Sequence, residues 1–180
     1  MRIHQLNDLS DRYLVGLLEQ GLSVVTDPDI KHNYSPEFRE CDANLFYILQ
    51  NGRYSTGCYY IIEDHDELVA CAGWNKYNDD TALVLTRAFV AENYRTSYIM
   101  GEKLLPLMIH STVAYKNVWI TCNEYNKSIY NWFERKAAGR RTTMFADWPE
   151  IYSRFEPIGK KIVYNTEQYI VQLKRQQHND

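Results

Sequence analysis

The sequence predicts a mixed α/β domain with a central, mostly antiparallel sheet flanked by helices. Two β-rich runs, residues 58–62 and 68–72, stand either side of a polar stretch, Glu63-Asp64-His65-Asp66-Glu67, which makes them a hairpin. A strand pattern over residues 81–90, a helical pattern after Arg95 and a strand pattern over residues 118–121 follow in turn. A strand-helix-strand step set among antiparallel pairs yields a mixed sheet covered by helices.

The first helix is expected over residues 7–20. Leu9, Tyr13, Leu14, Leu17 and Leu18 recur at helical spacing behind Asn7 or Ser10 as cap, Asp8 and Asp11 lie near the start, and Gly21 stops it. A second helix has Ser35 as N-cap and Pro36 at the first helical position. Phe38, Cys41, Leu45, Phe46 and Leu49 share one face, and Asn51-Gly52 ends it. Residues 24–34, with Asp27-Pro28-Asp29, form the loop between them. The stretch 63–67 reads as a solvated hairpin tip and not a metal site, because neither strand adds a further ligand. Asn78-Asp79-Asp80 turns the chain into the third strand.

Beyond Arg95, the positions Gly101, Leu104, Leu105, Met108, Ile109 and Thr112 keep the i, i+3, i+4 spacing of an amphipathic helix. Asn126 caps a further helix with Ile129, Trp132, Phe133 and Ala137 inward, ahead of an irregular basic stretch at Gly139-Arg140-Arg141. Residues 161–164 and 168–173, joined by Asn165-Thr166-Glu167, make a closing hairpin.

A chain of 180 residues is long enough to bury its core without disulfides or metal, and no linker or repeat divides it, so residues 1–180 are expected to form one domain. A net charge of -3 gives no extended nucleic-acid footprint. Cys41, Cys58, Cys71 and Cys122 stand apart, without metal-ligand spacing, and read as buried thiols in a reducing compartment. The N-terminus lacks the apolar core of a signal peptide, and no run approaches a membrane span, so a cytoplasmic protein with no membrane partner is expected. The fifteen tyrosines suit packing at the core's edge, ring buried and hydroxyl wet.

Two local motifs give this order a resemblance to a known family. The stretch from Val90 to Leu105, VAENYRTSYIMGEKLL, resembles the V-x-P-x-Y-R-G-x-G-x-G pattern of the GNAT N-acetyltransferase superfamily. Asn126 to Ala137, NKSIYNWFERKA, resembles that superfamily's N-x-x-A-x-x-x-Y-E-K-x-G. The resemblance covers residues 58–138 best. It implies an acyl-coenzyme A donor, acetyl-CoA, with its pyrophosphate held by the turn of Arg95, Thr96, Ser97, Tyr98, Ile99, Met100 and Gly101. Backbone N–H groups at a helix start make such an anion site. Thr96, Tyr98 and Met100 stand where glycines are usual; a one-residue slip puts Gly101 at the last glycine position, and both registers stay open. A helix starting near Ile99 suits the site, whereas one starting at Pro106 would leave no helix N-terminus there.

The resemblance also implies that Asn126 reaches the pantetheine arm, and that Phe133 occupies the place of a tyrosine that protonates the leaving thiolate, which makes Tyr130 the substitute acid. An alkyl amine, with a pKa of about 10.4, needs a base near neutral pH. Residues 81–90 hold no glutamate, so Glu92 is the candidate. A backbone N–H at a bulge near Phe89 or Val90 would meet the oxyanion, and Arg87 would either run to solvent or bind an acidic group of the substrate. The function implied is N-acetylation of a small-molecule or protein amine by direct attack in a ternary complex, with residues 24–34 and 139–151 shaping acceptor choice. A homodimer is left open. The alternatives are a catalytically degenerate GNAT-fold binding or regulatory module, and a toxin acetylating aminoacyl-tRNA through Arg135, Lys136, Arg140 and Arg141. Nucleic acid is the less expected partner.

Overall fold

The computed structural model describes residues 1–6, 10–18, 57–95, 98–124, 127–139 and 150–174, apart from the side chain of Arg87. The second expected helix with Cys41, the 24–34 loop, the caps Asn7 and Asn126, and Arg140 and Arg141 lie outside these residues. The described residues form a seven-stranded sheet in the order β1-β2-β3-β4-β5-β7-β6. Its strands are β1 (Arg2–Leu6), β2 (Gly57–Asp64), β3 (Glu67–Asn78), β4 (Thr81–Val90), β5 (Asn117–Cys122), β6 (Phe155–Val163) and β7 (Thr166–Leu173). Only β4 and β5 pair in parallel; every other neighbouring pair is antiparallel.

The first element is a strand, where sequence patterning gave only a helix. β1 pairs antiparallel with β2, from Arg2 opposite Glu63 to Leu6 opposite Tyr59. Its alternation of exposed and buried positions is incomplete, because only Leu6 is buried. The helix follows as α1, residues 12–18, with Leu14, Leu17 and Leu18 buried. Tyr13 does not join them. It is 44% exposed, and its hydroxyl lies 2.6 Å from Glu63 Oε2 and 2.8 Å from Asp66 Oδ1.

The β2–β3 turn is His65-Asp66, both with positive φ, as a two-residue hairpin of the type that matches strand twist requires. Glu63 is not part of a solvated tip. It is fully buried at the end of β2, paired with Arg2 Nε and bonded by Tyr13, and these partners hold its carboxyl down to about 2. Among the described residues, no group of His, Cys, Asp and Glu could hold a metal.

Two helices cover the opposite face. α2 starts with a π turn over Met100–Leu104 and continues as an α-helix over Leu105–Ser111; α3 spans Lys127–Ala137. Leu104, Leu105 and Met108 of α2 and Tyr130, Trp132 and Phe133 of α3 pack there with Tyr60, Val84, Ile120 and Val171. The inward residue of the first turn of α3 is therefore Tyr130, while Ile129 is 37% exposed and Ala137 is exposed. α1 packs on the other face, over Tyr59, Ile61 and Cys71 of β2 and β3 and over Phe89 of β4. β6 begins well before the expected residue 161, after a 3-10 turn over Glu150–Arg154, and the last hairpin turns at Tyr164-Asn165. Cys58, Cys71 and Cys122 are buried and in no disulfide, and no helix among the described residues is long and apolar enough to cross a membrane.

Candidate acyl-coenzyme A site at the parting of two parallel strands

β4 and β5 pair only through Thr81–Asn117, Ala82–Val118 and Leu83–Trp119. Beyond Leu83, β4 continues along β3, whereas β5 continues along β7. The two strands part like the arms of a V. The cause lies in β4: Trp74 pairs with Val84 and Gly73 with Thr86, leaving Leu85 as an extra residue with φ +57°. The Leu85 N–H is directed at Met108 Sδ, 3.4 Å away on α2, and not at a strand. A second register shift falls between Thr86 and Phe89. The bulges thus precede the expected position near Phe89 or Val90, and a leucine at positive φ gives no sign of itself in sequence.

Phe89 and Val90 are regularly paired with Cys71 and Ala70. Phe89 is buried against α1, and Val90 is half-buried on the α2 side. The Ala91 N–H donates to Val69 C=O at 2.8 Å, so by strand alternation the N–H and C=O of Val90 point away from β3, into the parting. Arg95 Nε takes that carbonyl at 3.2 Å, which fixes the guanidinium to the end of β4. Glu92, in the 3-10 turn Glu92–Tyr94, is exposed just past the strand, and its carbonyl accepts the Arg95 N–H at 3.3 Å.

Helical geometry starts at Ile99, well before Pro106. Tyr98, immediately ahead, has φ +55°, the backbone shape a glycine gives freely and other residues adopt at a cost of about 1–2 kcal/mol. The first helical bond is Glu102 N–H to Tyr98 C=O at 2.9 Å. The amides of Ile99, Met100 and Gly101 precede it, the positions a helix start leaves for a ligand. Gly101 is buried, Met100 half-buried and Tyr98 37% exposed. Thr96 and Ser97 lie outside the described residues. A π turn holds one residue more than an α turn, and Pro106, which has no N–H to offer, stands two residues beyond its end, after Leu105.

On α3, Phe133 is buried among Trp132, Tyr152 and Phe155, with ring centroids 4.8 to 6.3 Å apart. Tyr130 packs against Tyr169 at 5.0 Å, and its hydroxyl oxygen accepts the Gly159 N–H at 3.1 Å. Burial raises its pKa above the ordinary phenol value. Near the end of β5, Cys122 is pushed up to about 12 by burial, and Glu124 accepts the Tyr169 hydroxyl at 2.7 Å. Arg135 Nε bonds the Asn131 carbonyl at 3.2 Å and Lys136 lies over the Trp132 ring, so both described members of the basic cluster are engaged on their own helix. A groove of about 310 Å³ between α2 and the Glu150–Arg154 turn has none of the residues that line the parting.

No protein-family model and no curated protein matches the sequence. Solved structures do match. An acetyltransferase from Streptococcus agalactiae superposes with a TM-score of 0.60 at 14% identity, covering 95% of this chain and 98% of its own. An acetyltransferase of the GNAT family from Staphylococcus aureus gives 0.59 at 15% identity, with 96% and 98% covered. The fold is that of the GNAT acetyltransferases. A PaiA N-acetyltransferase from Thermoplasma acidophilum, solved in complex with coenzyme A, gives 0.56 at 11% identity, with 97% and 100% covered. The residues expected at the site divide between two places. Val90, Arg95, Tyr98, Ile99, Met100 and Gly101 run from the end of β4 into the start of α2, while Tyr130 and Phe133 face the packed core.

Proposed function

We propose that residues 1–180 form one acyl-coenzyme A-dependent N-acetyltransferase domain, transferring acetyl from acetyl-CoA to a primary amine by direct attack. The observation that carries this is the Val90 N–H directed into the parting of β4 and β5. A pantetheine arm is itself amide-rich, and an outward strand amide offers it the hydrogen bond that β5 gives up. The Ile99 to Gly101 amides would take the pyrophosphate. Tyr98 supports that reading by keeping a glycine's backbone shape without a glycine. The two registers left open by the sequence are reconciled if the slip is taken up in the π turn, after Tyr98 and before the body of α2.

For the chemistry, the amine must lose a proton, the oxyanion needs an N–H donor and the thiolate must be protonated. Glu92 is the proposed base, at the open end of β4. Tyr130 is the proposed acid: its oxygen accepts the Gly159 N–H, and burial, with Glu134 beside it, holds its pKa above the ordinary phenol value, so the hydroxyl carries its proton at neutral pH. A second reading, acyl-CoA binding without transfer, is favoured by Phe133, which brings no hydroxyl to the position where the superfamily pattern has its tyrosine.

Calorimetric titration with acetyl-CoA tests the common ground. Saturable heat is expected, and no heat at millimolar ligand would remove both readings. Thiol release with a panel of primary amines then separates them, since a binder releases none.

A further inference from the structure

On the sheet face away from α2 and α3, three aromatic rings gather where β4 and β5 make their last pair, Leu83–Trp119. Tyr77 of β3 stands 6.2 Å from Trp119, and Tyr164, in the β6–β7 turn, meets Tyr77 edge-on at 5.2 Å and 90°. Each polar tip is tied within the chain. Trp119 Nε1 donates to Gln172 Oε1 at 3.0 Å, the Tyr77 hydroxyl to the Ile162 carbonyl at 3.3 Å, and Asn75 Nδ2 to the Tyr164 hydroxyl at 2.8 Å. These bonds fix the rings while their faces do other work.

That work is visible at Trp119. The Lys161 ammonium sits 5.5 Å from its ring centroid, within reach of a cation–π contact. Lys161 and Tyr164 are exposed, Tyr77 is half-buried, and Trp119, 9% exposed, lies beneath the Lys161 ammonium. The Leu85 bulge lies two residues beyond Leu83, about 7 Å along a strand. A molecule spanning a few bonds could touch both places.

We infer that Trp119, Tyr77 and Tyr164 form a recognition platform for a positively charged group of the amine acceptor, a second ammonium held while the first amine reaches the parting, with Lys161 as the cation that the acceptor displaces. This rests on the proposed acetyl transfer for the identity of the ligand, but the platform's preference for a cation can be measured without turnover. The acceptor class is then an organic diamine or an amine bearing a fixed cationic centre.

The probes are (3-aminopropyl)trimethylammonium and its neutral isostere at the distal end, 4,4-dimethylpentylamine, titrated calorimetrically into the full chain without acetyl-CoA. The cation is expected to bind about tenfold more tightly than the isostere. Tyr164→Leu should reduce that ratio to about threefold or less, and Lys161→Ala should tighten cation binding severalfold by removing the competitor. Circular dichroism of both variants checks that they fold. Equal affinity for the two probes, no binding of either, or weaker cation binding in Lys161→Ala would overturn the inference. If the cation binds as expected while acetyl-CoA does not, the platform stands and the transferase reading falls.

Discussion

The hydroxyl oxygen of Tyr130 accepts the amide of Gly159 across 3.1 Å, joining α3 to the bulged edge strand β6. Tyr130→Phe deletes the acceptor and leaves a half-buried amide unpaired, a loss of about 1–2 kcal/mol by denaturant unfolding. If Tyr130 is also the acid, the variant should lose thiol-release rate beyond that, and the alkaline limb of the pH–rate profile should vanish. A structural role alone would leave the profile unchanged.

Val90 offers a cleaner separation of binding from folding. Val90→Pro removes an N–H that β3 does not use, whereas Ala91→Pro removes one bonded to Val69. The first should weaken acetyl-CoA binding about tenfold with little change in melting temperature. The second should destabilise the sheet. Calorimetry and thermal unfolding on both variants check the contrast, and equal effects would show that the Val90 amide has no ligand role.

Tyr98→Gly relieves a left-handed residue. It should stabilise the chain by up to about 1 kcal/mol, the steric relief outweighing glycine's extra entropy. Acetyl-CoA affinity should be kept or improved. A drop in thermal stability would mean that the Tyr98 ring contributes more than its backbone costs.

Gly73 admits no side chain, because a Cβ there would meet the ring of Tyr59 at 2.4 Å, and that ring is 1% exposed. Gly73→Ala is expected to lower stability by about 1–3 kcal/mol, measured by urea unfolding.

Glu63 is one of the carboxylates through which acid acts on the fold. Its carboxyl is held below its ordinary value by Arg2 and Tyr13, so its contribution is complete above about pH 4.5 and is lost as pH falls through about 2. Glu63→Gln should be less stable at neutral pH and should show a shallower loss of stability over that window. Parallel acid titrations of the two proteins would refute this.

Much of the scaffold was legible because hydrophobic period and turn residues agree over long stretches. β4 runs over Thr81–Val90 as its Leu-, Val- and Phe-rich pattern requires, and α2 starts near Ile99 with Leu104, Leu105 and Met108 inward. β1 was hidden because Arg2 to Gln5 present no buried apolar partner, and its identity as a strand comes from pairing with β2. β6 was shortened by Pro157 and Gly159, which weaken a strand pattern yet are tolerated at a bulged edge. At the site, the order of the elements was readable, but the features that shape it are not carried by residue type. Leu85 and Tyr98 at positive φ are conformations imposed by the surrounding fold, and Glu63 looked like a loop carboxylate because its partners Arg2 and Tyr13 come from distant sequence.

The π turn at Met100–Leu104 bears on how such a protein is recognised at all. It acts as a dislocation does in a crystal, absorbing one surplus unit so that order resumes undisturbed on both sides. The helix keeps its inward face across it, with Ile99 before and Leu104, Leu105 and Met108 after all buried, although the turn holds one residue more than an α turn would. The likeness of this chain to the GNAT acetyltransferases is one of backbone path, seen at 11 to 15% sequence identity.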